Sequence, residues 1–378
     1  MSLTREQICQ TTSQKLAVAV ATCKSIKATI GLDGFVDEII AVVDKRQDST
    51  NYQPVKTIAA MASKIAGAAG QSSNYELVVK QRKLGGNGPI MANALACAGF
   101  DVTYIGNLGY PKIDPVFEEF ANRARVITIA DPGHTDALEF EDGKLMFGKH
   151  QTLRDVNWDN LITRVGKAKL QQLCNDSKLI AMVNWTMLPF MTSIWESLLK
   201  EILSTNTSGP RRKFFADLAD PEKRTKQDII DAMSLLSRYQ SQMDVILGLN
   251  LKESGQIAEV LGIPAPIDAE KGIEQTACAI REKMQISCVV VHPRKGAAAA
   301  TAEYSASFAG PFVGQPRIST GAGDHFNAGF CLGQVLGLSL EESLCCGCGT
   351  SGYYVRSAES PSAQQLSEFV AKLPLPQA

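Results

Sequence analysis

Short runs of β-branched and aliphatic residues recur along this chain, separated by stretches in which apolar residues return every three or four positions. That alternation is the mark of βαβ units, and it restricts the fold to an α/β architecture with a mainly parallel sheet. Core strands are expected at Ala28–Gly31, Val102–Ile105, Val126–Ile129, Leu179–Val183, Lys213–Ala216, Val245–Leu247 and Cys288–Val291. Helices are expected at Pro89–Ala98, Ile194–Leu203, Lys226–Arg238, Ile273–Lys283 and His325–Leu336. No internal repeat or low-complexity tract interrupts the rhythm, and only the proline-containing tail after Ala371 reads as loose.

Two stretches break the pattern. Phe35–Lys83 holds a strand-like start, a polar turn at Asp48–Asn51, a small-residue helix from Thr57 to Ala69 and a second strand-like piece at Tyr75–Val79. Thr135–His150 reads as a hairpin, with Ala137–Phe140 and Lys144–Phe147 flanking the turn Glu141-Asp142-Gly143. Segments within 35–83 and 134–152 are therefore expected to build a small β-sheet projecting from the main domain.

Composition excludes several classes of function. At 378 residues and 45% hydrophobic, the chain can bury a large core, as one big α/β domain or as two smaller units. Lys+Arg number 38 and Asp+Glu 39, so there is no cationic surplus for nucleic acid or an anionic membrane. The longest apolar run, Leu16–Ala21, is far short of the roughly 20 residues a membrane span needs. Polar residues precede it and Glu6 sits beside Arg5, so it reads as a surface helix rather than a secretion signal. Ten cysteines without scaffold-like spacing point to reduced thiols in a cytoplasm, and Cys345, Cys346 and Cys348 lack the partners a zinc site needs.

The richest stretch for chemistry is Ser319-Thr320-Gly321-Ala322-Gly323-Asp324, which opens the helix expected from His325. Glycines at 321 and 323 let the backbone turn tightly and bring bare N–H groups near an anion, while the helix N-terminus aims at the same spot. Asp324 could take a proton from a hydroxyl in line with a phosphoryl group, or it could simply cap the helix. Thr-Gly-Ala-Gly-Asp ahead of a small-residue helix resembles the C-terminal signature of the ribokinase-like (PfkB) carbohydrate kinases.

That resemblance implies a three-layer α/β/α domain spanning residues 1–378, with the small sheet as a lid. It implies an ATP-dependent phosphotransferase acting on a sugar hydroxyl, with Asp324 as catalytic base and Gly321, Ala322 and Gly323 as an anion hole. Thr320 joins the nucleotide contacts. Ile318 stands where the family usually has an Asp, which leaves a monovalent-cation requirement open.

Other segments agree in order. Gly31–Asp37 follows the first strand, so Asp33 or Asp37 lies where open α/β sheets bind ligands and can accept sugar hydroxyls. Gly85, Gly86 and Asn87 resemble the family's acceptor-binding signature, although Ile90 and Asn107-Leu108 depart from it. Asn250-Leu251-Lys252-Glu253 matches the family's Asn-x-x-Glu, which implies that Glu253 holds Mg2+ through water and that Asn250 serves the nucleotide. Lys295 and Gly296 fall in the loop that faces ATP, where His292 replaces the family Thr. Asp217, followed by Asp220 and Arg224, resembles a segment near the phosphates. The family also implies a homodimer through the lid.

No P-loop or protein-kinase motif set exists, and Gly347–Gly352 meets the dinucleotide pattern only formally, because the residues before it read as helix. Two alternatives stay open: a nucleoside kinase of the same fold, and a non-catalytic sugar- or nucleotide-binding homologue.

Overall fold

The structure, a computed structural model, describes residues 3–203 and 211–377. Its strands are β1 (Lys27–Leu32), β2 (Phe35–Arg46), β3 (Tyr52–Pro54), β4 (Leu77–Gly85), β5 (Asp101–Gly106), β6 (Arg125–Thr128) and β7 (Gly133–Phe140). There follow β8 (Gly143–Lys149), β9 (Leu179–Met182), β10 (Lys213–Asp217), β11 (Asp244–Leu249), β12 (Cys288–Val291), β13 (Gly296–Ala300) and β14 (Ser305–Ala309). Nine of them form the main sheet in the order β14-β13-β12-β11-β10-β9-β1-β5-β6, with only β13 and β14 antiparallel to their neighbours.

Both faces of this sheet are buried, which is why its strands read as continuous apolar runs. Cys288, Val290 and Ile246 point to one core, covered by helices Arg5–Cys23, Asn87–Cys97, Ala322–Val335, Leu340–Ser357 and Ala363–Ala371. Val289, Val291, Val245 and Leu247 point to the other, under Lys167–Asp176, Met191–Glu201, Lys226–Tyr239, Leu251–Val260 and Ile273–Met284. All seven expected core strands and all five expected helices are present, with shifts at their ends.

The two irregular stretches build a second sheet. Its spine is β2, paired antiparallel with β4, parallel with β7 and, at its far end, antiparallel with β3, while β8 folds back on β7. Ile40, Val42, Val55, Leu138 and Met61 of helix Ile58–Gly67 form its small core. Only Asp33 and Gly34 separate β1 from β2, so the second sheet grows directly from the carboxyl edge of the first.

One strand was not legible in advance. The strand Gly296–Ala300 is an alanine run, which no strand preference marks; pairing with β12 and β14 makes it a strand. Gly347–Gly352 lies inside the helix Leu340–Ser357, where the missing side chains admit Phe326 and Pro311, so the dinucleotide pattern there is a packing motif. Among the described residues no helix is long and apolar enough to cross a membrane, and every described cysteine is free.

Candidate active site

The parallel strands deliver polar side chains to one edge of the sheet, where ligands bind in open α/β folds. Asp33 follows β1, Asn184 follows β9, Asp217 ends β10, Asn250 follows β11 and His292 follows β12. Helices Asn87–Cys97 and Ala322–Val335 bring their N-termini to the same place.

Gly321, with φ of +89°, is the N-cap of the second of these helices, a conformation that suits glycine. The hydroxyl of Tyr354 donates to the Thr320 carbonyl at 2.9 Å. The Gly321 carbonyl accepts the His325 backbone N–H at 3.0 Å and faces His325 Nδ1 at 2.7 Å. His325 is itself held flat against Tyr354, ring centroids 3.6 Å apart, and its Nε2 meets Ser360 Oγ at 2.8 Å. Both carbonyls are thus clamped on one side of the loop, and in a trans peptide the following N–H points the opposite way. The Ala322 N–H bends back to the Ser319 carbonyl at 3.2 Å, whereas the Gly323 and Asp324 amides lie in the first turn, where no intrahelical acceptor exists.

Asp324 is buried, and its carboxylate accepts the Asn87 side-chain N–H at 2.9 Å. Burial pushes its pKa up to about 8, the negative charges of Asp33 and Glu253 push the same way, and Asn87 opposes them. A carboxyl tuned toward neutrality is suited to proton transfer.

The structure separates the two acids that the sequence left as alternatives. Asp33 is fully buried, and its oxygens accept the backbone N–H groups of Asn87 (2.9 Å) and Gly88 (2.8 Å) and the Asn184 side-chain N–H (2.7 Å). It anchors the N-terminus of the helix carrying Asn87, and Tyr104 donates its hydroxyl to the Asp33 carbonyl. Burial raises Asp33 to about 6 against these donors. Asp37, on β2, is buried with the Thr135 hydroxyl and Lys83 as its neighbours, and burial likewise raises it. Its carboxylate lies so close to Gly85 that a Cβ there would stand 2.5 Å away. Asp37 therefore keeps capacity for hydroxyl groups that Asp33 has already committed to the backbone.

On the other side of Gly323 lies a cavity of about 410 Å³ lined by His292, Pro293, Arg294, Gly296, Pro311, Phe312, Pro316, Ser319 and Val355, with Asn250 and Cys348. Its size and its apolar walls suit a nucleoside. Gly296 lines it; Lys295 does not, since its ammonium rides 5.6 Å above the Phe312 ring and its carbonyl accepts the Gly310 N–H. Lys295 stands at the rim, and Thr320 contributes its clamped carbonyl.

Glu253 completes a capping box with Asn250 and is buried, accepting the N–H groups of Asn250 at 2.9 Å and Asp220 at 3.0 Å, one on each oxygen. Asp217 accepts the Asn327 side-chain N–H at 3.2 Å on one oxygen, and its other oxygen is buried without a partner. Burial, then the charges of Glu253 and Asp324, hold Asp217 well above the usual carboxylate range. Among the described residues no three His, Cys, Asp or Glu side chains form a metal cage. The donor set therefore fits a hard cation carried largely by phosphate and water, with these two carboxylates nearby, and not an all-protein site.

Sequence reasoning missed Asn184, Tyr104 and the His325–Tyr354 clamp. Asn184 had a signal in its position after a strand, and it adopts φ of +61°, which asparagine tolerates better than most residues. The clamp had none, because its partners are far apart in the chain. One of the departures is explained locally: the Asn107 side-chain N–H groups donate to the Gly34 and Asp131 carbonyls, both at 3.1 Å, and so tie the β1–β2 link in place.

A family model described as prokaryotic ketohexokinase matches residues 4–373. The ketohexokinase of Haloferax volcanii is 28% identical over 347 residues, 91% of each chain. Among solved structures, a carbohydrate kinase from Agrobacterium tumefaciens superposes with a TM-score of 0.63 at 16% identity, over 93% of this chain and 98% of that one. Arabidopsis thaliana ribokinase complexed with ribose and ATP gives 0.63 at 15%, over 91% and 98%. Phosphofructokinase-2 from Escherichia coli gives 0.59 at 15%, over 92% and 99%. These neighbours share the ribokinase fold.

Proposed function

The chain belongs to the prokaryotic ketohexokinase family and is a carbohydrate kinase, and from that premise we propose that it transfers the γ-phosphoryl group of ATP to a hydroxyl of a ketohexose. What supports this most is the buried Asp324 carboxyl, held at 2.9 Å by Asn87 at the head of the Ala322–Val335 helix, between the Asp37 side of the cleft and the nucleoside-sized cavity.

In this reading Asp37 and Asn87 orient the sugar by accepting and donating hydrogen bonds to its hydroxyls. Asp324 takes the proton of the attacking hydroxyl as its oxygen approaches phosphorus in line with the leaving ADP oxygen. The amides of Gly321, Gly323 and Asp324, with the partial positive charge of the helix N-terminus behind them, stabilise the charge that develops on the phosphoryl oxygens. Bound Mg2+ would supply neutralisation of the phosphate charge, and Glu253, through water, and Asp217 are the side chains that would hold it. Asp33 acts by holding Asn87 in place. No acidic side chain at position 318 serves a monovalent cation.

We read residues 1–378 as one kinase domain in which the small sheet is a lid. It is rooted at the Asp33-Gly34 link beside the acceptor site, so its closure would expel water from the sugar. The exposed Val79, Met146 and Phe147 on that lid suit pairing with a second copy. The test is ADP release with Mg-ATP and fructose, ribose or adenosine as acceptor, followed by identification of the phosphorylated position. Fructose should give the highest kcat/KM; preference for adenosine would assign the site to nucleosides instead.

A further inference from the structure

One side chain beside the proposed base is hydrogen-bonded at both ends and yet has no part in the mechanism above. His325 is the residue after Asp324, and it is 2% exposed. Burial lowers its pKa to about 4, although the hydrogen bond to Gly321 opposes the shift, so at neutral pH the imidazole is uncharged and carries one N–H. A carbonyl can only accept, so the contact of 2.7 Å between Nδ1 and the Gly321 carbonyl places that N–H on Nδ1. Nε2 is then an acceptor, and Ser360 Oγ donates to it at 2.8 Å. Asn93, on the helix Asn87–Cys97, donates in turn to Ser360 at 3.3 Å and accepts from Arg123 at 3.1 Å. The tautomer and the orientation of the ring are therefore fixed by residues that play no part in the proposed chemistry.

The same ring lies against Tyr354, with planes 11° from parallel, and so fixes the phenol whose hydroxyl holds the Thr320 carbonyl. Burial, and then the charge of Asp324, raises Tyr354 to about 12, so that hydroxyl keeps its proton and remains a donor. Gly321 is boxed in between: a Cβ built there would stand 3.2 Å from Tyr354 Oη and 3.3 Å from Ile90 Cγ2. With the carbonyls of Thr320 and Gly321 both held, the Gly321 amide has one direction left, opposite the Thr320 carbonyl.

We propose that His325 is a positioning residue for phosphoryl transfer: by holding the Gly321 carbonyl and the Tyr354 ring, it aims the Gly321 N–H at the transferring phosphoryl oxygens. An amide aimed where charge develops contributes more in the transition state than in the bound complex. The inference rests on the kinase reading, which supplies the reaction.

The test compares three substitutions at this position. His325→Asn keeps a donor near the place of Nδ1, His325→Gln carries its amide farther out, near Nε2, and His325→Phe keeps the stacked ring without either nitrogen. H325F should lose about tenfold or more in kcat, short of the roughly 10²–10³ that deleting an oxyanion donor costs, with KM for ATP and for the acceptor at wild-type values. H325N should recover most of that loss and H325Q little of it. By calorimetry, H325F should bind MgADP as the wild type does. With acceptor and aluminium fluoride added to mimic the phosphoryl group in flight, it should lose affinity by about the same factor as kcat. Tyr354→Phe, which keeps the stack and removes the hydroxyl, should reproduce the kcat-selective loss, and it decides the matter should H325F not fold. Wild-type kcat in H325F, or in Y354F where H325F does not fold, overturns the proposal. Losses that are equal in H325N and H325Q, or that follow the melting temperature across the variants, overturn it too and make the histidine a packing residue alone. Wild-type protein that transfers no phosphoryl group to any acceptor sinks the kinase reading itself.

Discussion

At the residue scale, the proposed base is a carboxyl that resists ionisation. Only its anionic form can accept a proton, so with a pKa near 8 in the empty site kcat/KM should climb about tenfold per pH unit below that value and level above it. A profile flat between pH 6 and 8 would remove Asp324 from that role. Asp324→Asn should cut turnover by roughly two to four orders of magnitude, the usual range for a general base, and leave MgADP affinity nearly unchanged by calorimetry. The same group bears on stability with a definite sign. A carboxyl whose pKa is raised by folding binds more protons folded than unfolded between about 4 and about 8, so its contribution makes the protein less stable as pH rises through that window. Melting curves should therefore show D324N gaining on the wild type as pH rises from 5 to 8. The catalytic candidate was legible because it sits in a local motif. The different surroundings of Asp33 and Asp37 were not, because they depend on Asn184 and on the helix amides that meet Asp33, partners 54 to 151 positions away.

At the scale of elements, the junction between β4 and the helix Asn87–Cys97 shapes the proposed acceptor site. Gly85 admits the Asp37 carboxylate, and Gly86, at φ of +96°, turns the chain so that the next two amides face Asp33. A methyl group at position 85 would stand 2.5 Å from the Asp37 carboxylate, which can swing away because it is the end of a short side chain. Gly85→Ala should thus leave a folded protein whose acceptor KM is raised about tenfold or more, the loss expected when a charged hydrogen-bonding group is displaced. KM for ATP should stay unchanged, and steady-state kinetics with each substrate varied would decide it. The element pattern itself was largely readable, since parallel strands buried on both faces and helices with three- and four-residue periods write themselves in hydrophobicity. The alanine strand β13 was hidden for the converse reason: its structure comes from its neighbours on either side and not from its own residues.

For the molecule as a whole, two sheets meet at the Asp33-Gly34 link, and that link is where closure would act. Hydrogen exchange should show β2, β4, β7 and β8 gaining protection when fructose and a non-hydrolysable ATP analogue bind together, with the main sheet little changed. Equal protection throughout would argue against a moving lid. The layered fold and the protruding sheet were both legible, because each follows from patterns within short segments; how the cleft is wired was not, because it joins residues from opposite ends of the chain. Asn87 gives its backbone N–H to Asp33 and its side chain to Asp324, and so fastens the first strand to a helix that begins at residue 322. On the proposed mechanism, a ribosome must therefore extrude the chain past Asp324 before any phosphoryl transfer can begin. Nascent or prematurely terminated chains, however well their earlier strands have paired, would consume no ATP.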